Sequence, residues 1–417
     1  GDNLFLGPGP TLVFKYPLGL PEGICLPGVE EKLQVSILPG LENYVPGTAE
    51  FCCRFDPGDP FTTTALTPVG GDLFEVTMPA AMPGDEPEFY FQAQGDGGTT
   101  IHSPYNAPSE VYGFTPGISW VMMEDDCEVN SGWTVESVNL QTGEWELADP
   151  LPTDAQPGDD HSPNGVNCWV TDGRGGSIGD YDVDGGPTRL TTPFYDLSSG
   201  DAVLKYWVWH HDSNGAKPLE IHITGGLLWV KALEVSDTGG WKQVEIRVSE
   251  HINPTGSVKV RFSSQDQPNE AIVESCVDDF SMERLVTKEA TLWADGYTIP
   301  AASGAVIDFT LEAGPACAGR SYLLLGSLSG TYPGFSLPGG QILPLNWDGF
   351  TDLTLSFVNT PVCLNFMGKL DGAGKAEAML NTFGALDPAV IGLEAHFAYM
   401  LGNPFDFVSN PIPVMFE

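Results

Sequence analysis

Residues 204–211 read LKYWVWHH, and the reading of this stretch decides the fold. In an extended strand successive side chains point to opposite faces, so Tyr206 and Val208 share one side while Trp207 and Trp209 share the other. A strand that is apolar on both faces belongs inside a packed sheet. The segments around it have the same length and character: LEIHITG (219–225), KQVEIRV (242–248) and VKVRFSS (258–264) follow it, and TLVFKY (11–16), KLQVSIL (32–38), AEFCCRF (49–55), LFEVTMP (73–79) and EFYFQAQ (88–94) occupy the first hundred residues. Fifty Gly and 35 Pro separate these runs, and no long stretch repeats apolar residues at helical spacing, so the fold class is all-β. One short helical turn is expected at LDPAVIG, with Asp387 as cap and Pro388 at the first helical position.

A chain of 417 residues exceeds what one hydrophobic core organises, and composition shifts mark two boundaries. Turn spacing over Thr11–Phe114 predicts an immunoglobulin-like β-sandwich, residues 1–116. From Ser119 to Asp196 sixteen acidic residues face two basic ones, Arg174 and Arg189. The long polar loops of this part suit a jelly roll, residues 117–285. The remainder, 286–417, is poor in charge and reads as a third β-sandwich. Three tandem β-sandwich domains are therefore expected.

Seventeen basic against 56 acidic residues give a net charge of −39, which repels nucleic acid and anionic membranes and favours cations as partners. With 41% hydrophobic and 11% aromatic residues the chain has ample material to collapse. No run approaches ~20 apolar residues, so no membrane insertion is expected. The sequence opens at Gly1 with no basic n-region and no apolar h-region, so an exported product after processing is expected. Eight cysteines outside any zinc spacing fit disulfides in an oxidising compartment. With no N-x-Ser/Thr sequon, the expected location is secreted or cell surface, and bacterial.

Three groups of segments carry a resemblance. QPGDDHSP, CWVTDGRGGSIGDYDVDGGPTRLTTPFYDLS and VESCVDDFSMERL resemble the jelly-roll module, similar to MAM domains, found downstream of the catalytic domain in secreted bacterial zinc carboxypeptidases. LVFKYPLGLPE and PEFYFQAQGDGGTTIHSP resemble the immunoglobulin-like module that precedes it there. AGRSYLLLGSLSGTYPGFSLPGG and GKLDGAGKA are similar to a C-terminal β domain of secreted planctomycete and myxobacterial proteins. The resemblance implies export and a β fold, and no activity. The carboxypeptidase zinc-binding His/Glu pair has no counterpart in the chain.

The densest chemical motif is GDYDVDGG, residues 179–186. Asp180, Asp182 and Asp184 place carboxylates at alternate loop positions before a Gly, as in the first half of an EF-hand loop, and hard oxygen ligands at that spacing suit structural Ca²⁺. The twelfth position is Thr191, not a bidentate Glu. Completing ligands must therefore come from Asp159, Asp160, Asp278, Asp279 or, at the domain entrance, Glu124 or Asp125, with Asp160 and Asp279 preferred. In a jelly roll the first and last strands lie side by side, which draws the Glu124 and Asp279 regions together. The alternative is a solvated acidic loop.

Gly175–Gly179 matches G-x-S-x-G around Ser177, but a nucleophile elbow needs a strand-to-helix turn that an all-β pattern lacks. His210, His211 and Asp212 alternate between faces and read as structural. Trp207 and Trp209 offer a platform for a sugar ring if their face is open; the alternative is a core strand. For the cysteines, Cys317 and Cys363 form one expected pair. Either Cys52 or Cys53 reaches Cys25, and Cys127 pairs with Cys276 where the jelly roll enters and leaves. Cys168 and one first-domain thiol are then left to bridge domains or neighbouring copies.

The leading expectation is an exported non-catalytic building block of a surface layer, matrix or filament, stabilised by calcium and disulfides and assembling with identical subunits. A carbohydrate-binding or adhesive protein with a polysaccharide partner is the alternative, and a hydrolase using Ser177 comes third.

Overall fold

The computed structural model describes residues 10–198, 200–288 and 290–417. Residues 1–9, with which the first expected domain opens, lie outside them. Two compact units emerge: Ser119–Leu285 with Thr331–Pro333 form one, and the residues up to Ile118 form the other with Val286–Gly330 and Gly334–Glu417. The second of these holds two sandwiches.

In the N-terminal sandwich one sheet orders Leu12–Lys15, Glu31–Pro39, Leu73–Met78 and Thr67–Gly70. The other orders Tyr112–Gly113, Glu88–Gln94, Glu50–Arg54 and Thr62–Ala65, with Thr100–Ser103 beside Glu88–Gln94. Alternation fills the space between them with Leu33, Val35, Ile37, Phe51, Cys53, Phe74, Phe89 and Phe91. The C-terminal sandwich sets Leu292–Ala294, Val306–Glu312, Lys375–Asn381 and Cys363–Leu364 against a sheet running Thr298–Ile299, Ile412–Phe416, Glu394–Leu401, Ser321–Ser327 and Met367–Lys369. The turn at Pro388–Val390 forms as expected, with Asp387 accepting from the Ala389 amide. The helix Gly349–Ser356 was not expected. It starts at a capping box in which Asp348 accepts from the Thr351 amide and Thr351 bonds back to the Asp348 amide, a D-x-x-T signal present in WDGFTDLTL.

The middle unit is a sandwich of two larger sheets. The first orders Trp145–Ala148, Cys168–Thr171, Val273–Val286, Asp201–Asp212 and Lys242–Arg247, with Ile118–Asp125 paired to Val273–Val286. Entry and exit strands therefore adjoin. The second orders Thr134–Ser137, Asp184–Thr191, Lys259–Asp266, Leu219–Thr224 and Trp229–Val235. LKYWVWHH lies in Asp201–Asp212, whose burial alternates over all twelve residues. Tyr206 points into the core against Phe262 (ring centroids 5.0 Å) and Phe280 (6.1 Å). Burying each such ring contributes about 2–3 kcal/mol.

One irregularity matters for the site. Lys205 lies opposite Ser281 but Trp207 lies opposite Asp278, so Val273–Val286 carries one extra residue there, a β-bulge with Asp279 at φ 45°. A bulge re-aims side chains that strict alternation would send to opposite faces.

Candidate functional site

The bulge turns Asp278 and Asp279 toward the same loop. Asp278 Oδ2 accepts from the amides of His161 (2.8 Å) and Ser162 (3.3 Å), while the Asp279 carboxylate bonds His161 Nδ1 and Ser162 Oγ, both at 2.6 Å. Asp160 sits beside them with Oδ2 buried and without a partner. A Cβ on Gly165 would lie 2.2 Å from Asp160 Oδ2 and 2.3 Å from Glu128 Oε1, so two carboxylate oxygens converge on a spot that only Gly leaves open. Burial, then Glu128, Asp159 and Asp279, push Asp160 up to about 6. Burial pushes Asp278 up to about 7, with Asp279 and Asp160 adding to it, against the amide bonds from His161 and Asp279.

Asp180, Asp182 and Asp184 do not close into a cage. Asp180 is exposed and accepts from the Ser177 amide (2.9 Å), Asp182 is buried and accepts from the Val273 amide (3.3 Å), and Asp184 begins a strand. Because Asp182 is tied to Val273 while Asp278 stands five residues on, the two acidic groups are separated by roughly 17 Å of strand. One ion cannot span them, so Asp160 and Asp279 do not complete the Asp180–Asp184 loop. Glu124 is exposed, as is Asp159. Among the described residues no three Asp, Glu, His or Cys side chains form a ready metal cage.

Around Asp182 the structure assembles residues the sequence did not single out. Glu274 is 4% exposed, with Oε2 unpartnered. Burial first, then Asp182 and Asp172, push it up to about 9. Burial and Asp184 push Asp182 to about 6, against the Val273 amide. Asp172 is neutralised by Arg174 (Nε to Oδ1, 2.7 Å) and the fully buried Asp266 by Lys217 (3.2 Å). The one sequence signal is the alternation of Glu274, Cys276 and Asp278 in VESCVDDF.

Trp207 and Trp209 share the outer face of their strand as expected, yet the face is covered. His161 stacks on Trp207 at 3.8 Å and 15°, and Trp209 Nε1 donates to the Ala155 carbonyl (2.8 Å). Trp241 meets both His161 and Trp209 edge-on. The loop through 155–161 thus occupies the expected sugar platform. His210 is buried between Ser275 Oγ and the Lys217 carbonyl, and His211 turns away to Asp237. Ser177 lies on an exposed loop, not on a strand-to-helix turn.

All eight cysteines are free thiols in this structure. Cys276 shares an apolar cluster and a hydrogen-bond contact with Cys168, whereas Cys127 packs in the main core. The neighbour of Cys276 is Cys168, not the expected Cys127, because both lie on the outer side of adjacent strands. Cys52 faces Tyr90 and Ala107 while Cys53 enters the N-terminal core. Cys25 is half-buried and contacts the Glu22 carbonyl, Cys317 lies in the turn Pro315–Cys317, and Cys363 is buried.

The outer face of the second sheet carries half-buried basic groups, with Lys231 exposed. Thr191, Arg261, His222 and Lys231 stand in one cross-strand row, with Arg189 in the next. The Arg261 guanidinium lies over the Trp229 ring at 3.9 Å. Burial and then Glu220, Arg261, Lys231 and Arg189 act on His222, the net effect being downward. Carboxylates also reach the face: Glu136 at 4.0 Å from Arg189, and Glu220 and Glu234 at Lys231. The adjoining turn exposes Leu227 and Leu228 (96% and 79%).

No family model matches the chain, and no curated protein matches it. Solved structures do. The K1 cleaved adhesin domain of Lys-gingipain from Porphyromonas gingivalis W83 is 18% identical over 40% of this chain and 98% of that one (TM-score 0.29). TmCBM61 in complex with β-1,4-galactotriose is 19% identical over 37% and 89% (TM-score 0.26). The CBM22-1 xylan-binding domain from Paenibacillus barcinonensis Xyn10C is 13% identical over 41% and 96% (TM-score 0.26). Likeness at this level does not assign a ligand.

Proposed function

We propose that this protein is a non-catalytic, exported binding protein that holds carbohydrate or adheres through the outer face of the second sheet of its middle unit. The observation that carries this reading is the Arg261–Trp229 pair, half-buried on the outer sheet face. Flat aromatic and guanidinium groups held rigid by a sheet offer contact area at little entropic cost. The 155–161 loop covers Trp207 and Trp209, so the reading rests on the opposite sheet. A glycan array probed with the full chain tests it. Binding that disappears in Trp229→Ala, with an unchanged melting temperature, supports the reading, and no bound glycan overturns it.

Self-assembly is the second reading, favoured by Phe335 and Trp347, whose rings meet at 4.9 Å while 38% and 44% exposed. Calcium enters this proposal as a structural ion. The unpartnered Asp160 Oδ2 next to Glu128 Oε1 has the hard oxygen character that Ca²⁺ takes. Asp160 and Glu128 would hold it, and the ion would neutralise carboxylates that otherwise repel one another.

A further inference from the structure

The chain has seven arginines. Arg54, Arg174, Arg189, Arg247 and Arg320 each pair with a carboxylate. In a protein with 56 acidic residues a partner is available almost everywhere. Arg261 nevertheless has no carboxylate partner among the described residues; it reaches Thr191 Oγ1 at 3.4 Å and lies flat on Trp229. Arg189 stands one cross-strand row away, near enough that, after burial, its charge is the next cause lowering the Arg261 pKa. Glu136, 4.0 Å from Arg189, offsets part of the repulsion between the two guanidinium groups, and a ligand carboxylate placed against the partly desolvated Arg261 would offset the rest.

We infer that this face binds an acidic polysaccharide, with Arg261 and Arg189 receiving the carboxylate of a uronic acid unit and Trp229 holding the Arg261 fork flat for two-point contact. The inference rests on the binding reading above and narrows it to a ligand class. A guanidinium presents a planar pair of donors that matches a carboxylate, which a neutral sugar hydroxyl does not. His222 and Lys231, the latter held by Glu220 and Glu234, lie farther along the row. The net charge of −39 opposes any polyanion at long range, so the contact must act at short range. Salt near 0.15 M, with a Debye length of about 8 Å, screens the distant repulsion while leaving the partly buried Arg261 contact.

The test uses the full chain in 0.15 M salt, titrated calorimetrically with decagalacturonate and, separately, with neutral xylan and galactan oligomers, for the parent, Arg261→Gln and Trp229→Phe. Equal melting temperatures establish that the variants fold. Decagalacturonate binding that weakens about tenfold or more in Arg261→Gln, with little binding of the neutral oligomers, is the expected result. Equal affinity for neutral and acidic oligomers, unaffected by Arg261→Gln, overturns the acidic ligand while sparing the binding reading. Binding of no oligomer overturns both. Sedimentation showing that Arg261→Gln abolishes self-association, with no sugar bound, would assign the face to a second copy's acidic surface and overturn the inference.

Discussion

Replacing Glu274 by Gln should stabilise the middle unit, increasingly so as pH rises. Glu274 is buried with Oε2 unpartnered, and its folded pKa is pushed up to about 9 from an ordinary 4.5 by burial and by Asp182 and Asp172. Above pH 4.5 the unfolded chain has released this proton while the folded chain still binds it. The folded state binds more protons, so stability falls as pH rises. Each pH unit costs about 1.4 kcal/mol, which reaches about 3 kcal/mol at pH 7 and levels off above the folded pKa. Gln has nearly the same shape and titrates in neither state. Parent and Glu274→Gln should therefore be equally stable near pH 4.5 and diverge by about 3 kcal/mol at pH 7. Urea unfolding between pH 4.5 and 8.5 in chelator measures this. Tryptophan fluorescence reports the middle unit, because Trp120, Trp133, Trp145, Trp169, Trp207, Trp209, Trp229 and Trp241 are eight of the chain's ten. Parallel pH profiles for the two proteins would show that Glu274 does not bind its proton in the folded state, and the reasoning would fail.

Calcium at a hundred times its Kd should add about 2.7 kcal/mol to the middle unit, and Asp160→Asn should remove that increment; melts that coincide in calcium and in chelator would count against the ion. Diamide oxidation of the folded chain should link Cys168 to Cys276, as read by peptide mapping, whereas a Cys127–Cys276 link would contradict the cluster that holds the first two thiols.

Local pattern was enough to make the chain all-β. The alternation of Tyr206 and Val208 against Trp207 and Trp209 depends only on the geometry of an extended backbone, and so does the Asp387–Pro388 turn; neither needs a partner from elsewhere. The adjoining entry and exit strands followed from the jelly-roll reading. The capping box at Asp348 was equally local and equally legible, but a short helix inside a β pattern attracts no attention.

What tertiary structure decided is everything that depends on which faces are covered and which distant residues meet. Asp160 and Asp279 look able to complete the Asp180–Asp184 loop because sequence spacing carries no information about the roughly 17 Å of strand between Val273 and Asp278. A single extra residue at Asp279 sends two neighbouring carboxylates to one loop, and alternation alone predicts the opposite. Trp207 and Trp209 were placed on the right face, yet His161 and Ala155 come from a loop some fifty residues away and close it. Arg189, Arg261, His222 and Lys231 lie on four different strands, the first three half-buried and Lys231 exposed. Only hydrogen-bond register between strands puts them side by side, and register is a property of pairing, not of any one segment.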